Sequence, residues 1–138
     1  MTRTFLDSGV LLTGWKGRDP DRDKAIAVMT DVGREFVSSQ IVRLELLPKS
    51  LFFKNRAEIA FYESYFDRLK GEEYLSMDLG DEAMDLGAQH GLAAGDALNL
   101  AAAIRLGASE FITTELPGRP MFRVKSTHVL SLHAALIN

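Results

Sequence analysis

The sequence predicts an α/β fold in which a central, mostly parallel sheet of four to five strands is covered by helices on both faces. Short apolar runs with strand character alternate along the chain with longer stretches whose apolar residues recur every three or four positions. Hydrophobic residues make up 46% and charged residues 25% of the chain, which is the composition of an ordinary globular domain. Strands that alternate with helices form parallel sheets buried between helical layers.

The strand prediction rests on short apolar runs that are bounded by polar residues and glycines. The first run stops at Asp7, and the fourth stops at Thr113. The predicted strands span residues 2–6, 35–38, 73–77, 110–113 and 129–132. The last of these is the fifth strand that completes the sheet.

The helix prediction rests on capping residues and on helical spacing. Asp19 and Pro20 are typical of a helix start, with Asp as N-cap and Pro at the first helical position, and Gly33 ends that helix. Ser39 is a favourable N-cap for the next helix, which Pro48 kinks or ends. Residues 9–15, which follow the first strand, are predicted to form a helical turn. Further helices are predicted over residues 55–69, 80–87 and 95–106.

Length and composition limit the possible classes of protein. A chain of 138 residues fits one domain, which we expect to span residues 1–138. The net charge of −3 argues against a protein that coats nucleic acid through bulk basicity, although a local basic rim can still bind phosphate. The absence of cysteine excludes disulfides and thiolate metal sites. No segment has the pattern of a signal peptide or a membrane span, so we expect a cytoplasmic protein.

Four acidic residues lie at strand ends or on helices that follow strands. They are Asp7 after the first strand, Glu45 on the helix after the second, Asp96 in the first turn of the Ala-rich helix and Glu115 after the fourth strand. Ligands of open parallel sheets bind outside the carboxyl ends of the strands. Carboxylates suit Mg²⁺ or Mn²⁺, and a metal held by them can activate water for phosphodiester hydrolysis. Each acid alone is better explained as a cap or a solvated charge, but their order and placement together predict a catalytic site.

Three segments of the sequence resemble the PIN domain family, and in particular the VapC-like toxins of toxin–antitoxin pairs. The segments are TFLDSGVLL around Asp7, SSQIVRLELLP around Glu45 and GLAAGDALNLAAAIRLGASEFITTE from before Asp96 to Glu115. The third segment carries the most specific pattern, and the resemblance extends over almost the whole chain.

The resemblance implies a three-layer α/β/α sandwich and an endoribonuclease that depends on Mg²⁺ or Mn²⁺. It implies that Asp7, Glu45 and Asp96 bind the metal and act in catalysis. The fourth catalytic position, Glu115, is usually Asp in the family. Because Glu is longer, we expect Glu115 to act through water.

The resemblance also suggests supporting residues and partners. Ser8 matches a small hydroxyl residue that often follows the first acid, and Thr113 matches a Thr that supports the acids by hydrogen bonding. Gly9 stands where a Ser or Asn is common, which removes one possible donor. The expected partners are an RNA substrate, an antitoxin protein and a second copy of the chain.

Further polar and aromatic residues lie near the proposed acids. Asn99 follows Asp96 by one helical turn, so it faces either the same cleft or solvent. A basic rim for RNA, or else solvated loop charges, is formed by Lys49, Lys54, Arg56 and Arg119. The middle helices carry a dense aromatic face that exceeds the needs of a core and so indicates an interface, formed by Phe52, Phe53, Phe61, Tyr62, Tyr65 and Phe66.

Two other functions remain compatible with the sequence. A catalytically weak PIN-like module that binds RNA or a protein partner would explain Glu115 and Gly9. A phosphatase of another acidic α/β fold is disfavoured, because Asp7 is followed by Ser8 and Gly9 and not by the paired Asp-x-Asp of that chemistry.

Overall fold

The computed structural model describes residues 1–135 of the chain. Its strands are β1 (Thr2–Leu6), β2 (Arg34–Ser39), β3 (Gly71–Glu73), β4 (Glu110–Thr113) and β5 (His128–Ser131). They form one sheet in the order β3-β2-β1-β4-β5, and every neighbouring pair is parallel. The predicted parallel sheet is therefore confirmed, with five strands in the described part of the chain.

Helices connect the strands. They are α1 (Ser8–Lys16), α2 (Asp21–Met29), α3 (Gln40–Phe52), α4 (Arg56–Phe66), α5 (Met77–His90), α6 (Ala94–Arg105) and α7 (Leu132–Ala135), with a 3-10 turn at Pro120–Arg123. Helix α2 contacts both α1 and α7, whereas α5 packs along α6 and α3 packs against α4. This arrangement is the three-layer α/β/α sandwich that the resemblance implied. Within the described residues, the helices are too short or too polar to cross a bilayer.

The two central strands are fixed by an aromatic pair. Phe5 of β1 stacks on Phe111 of β4 with ring centroids 5.1 Å apart, and the two residues are also partners in the strand register. Both side chains are fully buried. Because burying a Phe side chain stabilises the fold by about 1.5–3 kcal/mol, this pair holds the centre of the sheet in register.

The ligand crevice of the sheet lies beside β1. Strands β2 and β3 are added on one side of β1, and β4 and β5 on the other. In open parallel sheets the crevice lies at such a reversal, outside the carboxyl ends of the strands. Here the ends of β1 and β4 meet, and the main-chain N–H of Asp7 donates to the carbonyl of Ile112 at 2.9 Å.

The prediction of the third strand at residues 73–77 is wrong, because β3 comprises Gly71–Glu73 only. The apolar side chains of Tyr74 and Leu75 are exposed, so the apolar run does not form a buried strand. The strand itself is polar and lies at the edge of the sheet, where Glu72 forms a salt bridge with Arg43.

Helix α5 is longer than the predicted 80–87. It begins after Ser76, whose hydroxyl accepts the N–H of Leu79, and it ends at Gly91 in the left-handed conformation at φ 72°. Gly80 and Gly87, which suggested the ends, lie inside the helix. Tertiary packing against α6 outweighs the low helix propensity of these glycines.

The predicted start and end of the second helix are also wrong. Pro20 occupies the N-cap position of α2 and the first helical residue is Asp21, so Asp19 is not the cap. The helix ends at Met29, before Gly33.

Helix α3 continues beyond Pro48 to Phe52, so of the two predicted effects of the proline, a kink or an end of the helix, the end is wrong. Pro48 has no N–H to donate to the carbonyl of Leu44, and Leu44 lies on the exposed side of the helix. The predicted N-cap is confirmed, since the hydroxyl of Ser39 accepts the N–H of Val42 at 3.2 Å. The other predicted helices agree with α1, α4 and α6 apart from their end residues.

The aromatic face of the middle helices has a buried part and an exposed part. Tyr62, Tyr65 and Phe66 are buried and belong to the core. Phe52 and Phe53 are 79% and 66% exposed and pack edge to face, with ring centroids 5.0 Å apart. Most of the aromatic excess is thus core, and the expected homodimer remains a prediction.

Candidate metal centre

Asp7 lies at the carboxyl end of β1 and caps α1. Its Oδ1 accepts the N–H of Ser8 at 2.9 Å, and its Oδ2 accepts the hydroxyl of Thr113 at 3.1 Å. The pKa of Asp7 rises from 3.8 to about 6, chiefly because the carboxyl group is buried. The hydrogen bond from Thr113 opposes this rise, while the negative charges of Glu45 and Asp96 add to it. Asp7 therefore lies within electrostatic range of two of the predicted acids.

Glu45 reaches the same crevice from the second turn of α3. Its Oε1 accepts the side-chain N–H of Asn99 at 3.1 Å. Burial raises the pKa of Glu45, and the charge of Asp96 acts in the same direction. The hydrogen bond from Asn99 opposes this rise in pKa, and the nearby Ser8 side chain acts in the same direction.

Asn99 connects the acidic crevice to the core. Its side chain is 2% exposed, and its Oδ1 accepts the hydroxyl of Ser39 at 2.7 Å. Of the two sequence-based interpretations of Asn99, the cleft-facing one agrees with these contacts and the solvated one is wrong. Ser39 was predicted only as a helix cap, and its capping position in the sequence gives no sign of this second bond.

Replacing Asn99 with alanine is expected to destabilise the protein by about 1–3 kcal/mol, because the buried hydroxyl of Ser39 and the half-buried carboxylate of Glu45 each lose a partner. Urea unfolding of the variant at neutral pH measures this loss. The matched control is Gln89→Ala, since Gln89 is an exposed amide on α5. Equal stability of the two variants would show that the network contributes nothing.

Asp96 occupies the first turn of α6, where the helix dipole favours an anion. Burial nevertheless raises the pKa of Asp96, and the negative charge of Glu115 adds to this rise. The positive charge of Arg119 opposes it. Asp96 thus lies between the Asp7 side of the crevice and the loop that follows β4.

Glu115 differs from the other three acids because it forms a salt bridge with a basic side chain. Its Oε2 is 3.3 Å from Nε of Arg119, and its main-chain N–H donates to the hydroxyl of Thr113 at 3.2 Å. The Thr113 hydroxyl therefore bridges Asp7 and the backbone of Glu115. The sequence predicts Arg119 as part of the basic rim for RNA, but it does not predict the salt bridge of Arg119 with Glu115.

The remaining basic residues of the predicted rim lie on the α3 side of the site. Lys49 lines a cavity together with Glu45. Lys54 and Arg56 are exposed on either side of Asn55, the N-cap of α4. Their contact with a phosphate backbone remains a prediction.

Gly9 allows α1 and the end of β4 to approach closely. A Cβ atom added at Gly9 would lie 2.5 Å from Oγ1 of Thr114, which is far inside van der Waals contact. The sequence indicates only a missing donor at this position, whereas the structure requires a small residue. Thr114 directly precedes Glu115, so this contact also affects the loop of the fourth acid.

Gly9→Ala is expected to be less stable than Gly80→Ala by about 1–3 kcal/mol, because the added methyl group must displace Thr114. Gly80 is the matched control: it is also helical, and a Cβ there meets nothing within 4 Å. Thermal and urea unfolding of both variants measure the difference. Equal gains in stability would mean that Thr114 moves aside without cost.

The acids of the crevice fit a divalent cation that keeps part of its water shell. Within residues 1–135, no three Asp, Glu, His or Cys side chains are arranged closely enough to hold a metal ion on their own. Small hard cations such as Mg²⁺ are commonly bound by only one or two carboxylates, with waters completing the octahedron. The pKa values of Asp7, Glu45 and Asp96 are raised chiefly by desolvation and further by neighbouring negative charges, and a bound cation would favour the ionised form of all three.

Fold and site together define a class of α/β protein in which buried carboxylates cluster at the switch point of an open parallel sheet. The chain belongs to the PIN domain family, whose model matches residues 4–115. The matched range begins in β1 and ends at Glu115, so it contains all four acids. No protein with a curated description matches the sequence.

Several solved structures share the fold. VapBC2 from Rickettsia felis, bound to a DNA fragment from its promoter, has 15% identity and a TM-score of 0.68, and the match covers 94% of this chain and 98% of that one. DNA-bound VapBC from Salmonella typhimurium has 16% identity and a TM-score of 0.67, covering 96% and 99%. VapC20 from Mycobacterium tuberculosis, a sarcin–ricin loop cleaving toxin, has 16% identity and a TM-score of 0.64, covering 85% and 92%.

Proposed function

We propose that the chain is an endoribonuclease that depends on Mg²⁺ or Mn²⁺ and is the toxin of a type II toxin–antitoxin pair. The observation that carries the proposal is the group of Asp7, Glu45 and Asp96 at the switch point of a PIN domain, where desolvation, with a smaller contribution from neighbouring carboxylates, raises the pKa of each acid. Such a group is costly to the fold unless it binds a cation.

In this proposal Asp7, Glu45 and Asp96 hold the metal, and Glu115 acts through water. The metal, when bound, supplies a water that is activated at neutral pH and stabilises charge on the phosphate. Thr113 orients Asp7 through its hydroxyl, and Asn99 orients Glu45 through its amide. These bonds limit the rotation of both carboxylates before the substrate arrives.

The toxin assignment is supported by the solved structures that share the fold, among them two VapBC complexes and one RNA-cleaving toxin. By analogy we propose a cytoplasmic protein that forms a homodimer and binds an antitoxin. The basic residues Lys49, Lys54 and Arg56 beside the acids are proposed to hold the RNA backbone.

The test is RNA cleavage by the purified protein with Mn²⁺, with Mg²⁺ and with EDTA. Cleavage is expected with either metal, and Asp96→Asn is expected to lower its rate at least about a hundredfold. The control Asp85→Asn removes an exposed carboxylate of α5 and should leave the rate unchanged. The proposal fails if both variants cleave as the wild type does, or if EDTA has no effect.

A catalytically weak PIN module that binds RNA or a protein is the second candidate. It is favoured by one observation, the salt bridge that already occupies Glu115. Calorimetry with Mn²⁺ separates the two candidates. Binding that is lost in Asp96→Asn supports the nuclease, whereas absence of binding at millimolar Mn²⁺ supports the weak module.

A further inference from the structure

A cavity of about 400 Å³ opens next to Glu45, between α1, α3 and α4. We call it the Glu58 cavity, and its polar and aromatic lining includes Lys16, Glu45, Lys49, Phe53, Asn55 and Glu58. Because Glu45 also belongs to the acidic crevice, the cavity adjoins that crevice. A group bound in it would lie beside the proposed cleavage site.

The carboxylate of Glu58 is held in one orientation by two neighbours. Oε2 accepts the hydroxyl of Tyr62 at 2.7 Å, and Oε1 accepts the side-chain N–H of Asn55 at 3.2 Å. Tyr62 is fully buried, and this burial, together with the hydrogen bond to Glu58, raises the pKa of the phenol so that it remains a donor. Asn55 is fixed in turn, because its Oδ1 accepts the N–H of Glu58 at 3.2 Å.

An ionised carboxylate offers about four acceptor positions, and Glu58 uses two of them within the protein. One position on each oxygen therefore remains for a ligand with two adjacent donors. Among the RNA bases, guanine alone presents such a pair, N1–H and the 2-amino group. Adenine and cytosine offer one amino donor beside an acceptor, and uracil offers one N–H between two carbonyls, which a carboxylate repels.

The rest of the lining also suits a nucleotide. Phe53 is 66% exposed at the cavity, and exposed aromatic rings commonly stack on unpaired RNA bases. The ammonium groups of Lys16 and Lys49 can donate hydrogen bonds to the O6 carbonyl of the base or to a phosphate of the same nucleotide.

We propose that the Glu58 cavity binds an unpaired guanine of the RNA substrate and thereby selects the sequence at the cleavage site. This inference rests on the proposed ribonuclease function. The competing occupant is an arginine side chain of a protein partner, which two carboxylates would also attract. The lysines disfavour it, because Lys16 and Lys49 repel a second cation.

The first test is binding of the four nucleoside 5′-monophosphates to the metal-free protein, measured by NMR titration. GMP is expected to bind at least about tenfold more tightly than AMP, CMP or UMP, and Glu58→Gln is expected to remove that preference. Glu63→Gln is the control, because Glu63 lies on the same helix outside the cavity lining. Equal affinities for the four nucleotides, no binding of any, or preferential binding of an arginine-containing peptide would overturn the inference.

The second test uses variants and cleavage. Phe53→Ala, which removes a side chain that is 66% exposed, is expected to weaken the binding of all four nucleotides at least about fivefold while keeping the preference for GMP. Cleavage of an RNA with varied sequence should occur beside guanine in the wild type and lose that bias in Glu58→Gln. Cleavage without base bias would overturn the inference and leave the ribonuclease proposal intact. Binding of GMP without RNA cleavage would support the guanine site and overturn the ribonuclease proposal.

Discussion

Asp7→Asn is expected to abolish metal-dependent RNA cleavage and, in the metal-free protein, to raise the free energy of unfolding by about 1–3 kcal/mol at neutral pH. Activity and stability move in opposite directions because the same burial that makes the carboxylate a strong cation ligand makes its charge costly. Asparagine carries no charge, so it cannot replace the carboxylate as a metal ligand of equal strength.

Asparagine can keep a hydrogen bond to each of the two partners of Asp7, although the buried hydroxyl of Thr113 then loses its acceptor. The side-chain oxygen of Asn can accept the N–H of Ser8, as Oδ1 of Asp7 does now. Its amide nitrogen can donate to the hydroxyl of Thr113, whose hydrogen then turns away. The repulsion from Glu45 and Asp96, which raises the pKa of Asp7, disappears.

Cleavage rates with Mn²⁺ and urea unfolding with EDTA measure the two effects on the same preparation. The rate is expected to fall at least about a hundredfold. Asp85→Asn, on the exposed side of α5, should change neither quantity. A variant that loses activity because it unfolds would be less stable than the wild type, and that result would contradict the account given for Asp7.

The parallel sheet with its two helical layers could be predicted from the sequence, and so could the positions of two of the candidate acids in the fold. Asp7 and Asp96 could be predicted because each stands at a boundary with a clear local signal, a strand end and the first turn of an Ala-rich helix. The central strands could also be predicted from local signals, since apolar runs such as β1 and β4 are typical of strands buried in a parallel sheet.

The contacts that orient the acids could not be predicted in the same way. Glu45 and Asn99 are 54 residues apart in the sequence, and Ser39 and Asn99 are 60 apart, so their hydrogen bonds depend on how α3 and α6 pack. The edge strand β3 was misplaced because its stability comes from side-chain pairing and not from apolar burial. The cavity beside Glu58 likewise requires three helices to be brought together.

A pH effect on stability follows from the raised pKa of Asp7. Because its pKa in the folded protein is about 6, against an ordinary value of 3.8, the folded state binds the proton more tightly than the unfolded state. The stabilising contribution is therefore fully present below the unfolded pKa and is lost as the pH rises through the folded value. This shift in pKa corresponds to a loss of about 3 kcal/mol in the free energy of unfolding.

Metal-free wild type should accordingly lose stability relative to Asp7→Asn between about pH 4 and pH 7, and the gap should stay constant above that range. Glu45 and Asp96 are present in both proteins, and their raised pKa values lower the stability of both as the pH rises. The difference in stability between the two proteins therefore reports on Asp7. Urea unfolding across a pH series in EDTA measures the gap. A gap that does not change with pH would mean that Asp7 titrates near its ordinary value.

Divalent metal should reverse this loss, because the cation and the proton compete for the same carboxylates. Saturating Mn²⁺ is expected to raise the melting temperature of the wild type more at about pH 7.5 than at about pH 5, where Asp7 is largely protonated. Asp7→Asn should show a smaller rise and a weaker dependence on pH. A rise of equal size at both pH values in the wild type would indicate that the metal binds elsewhere, since only a site that includes the buried carboxylate must first release its proton.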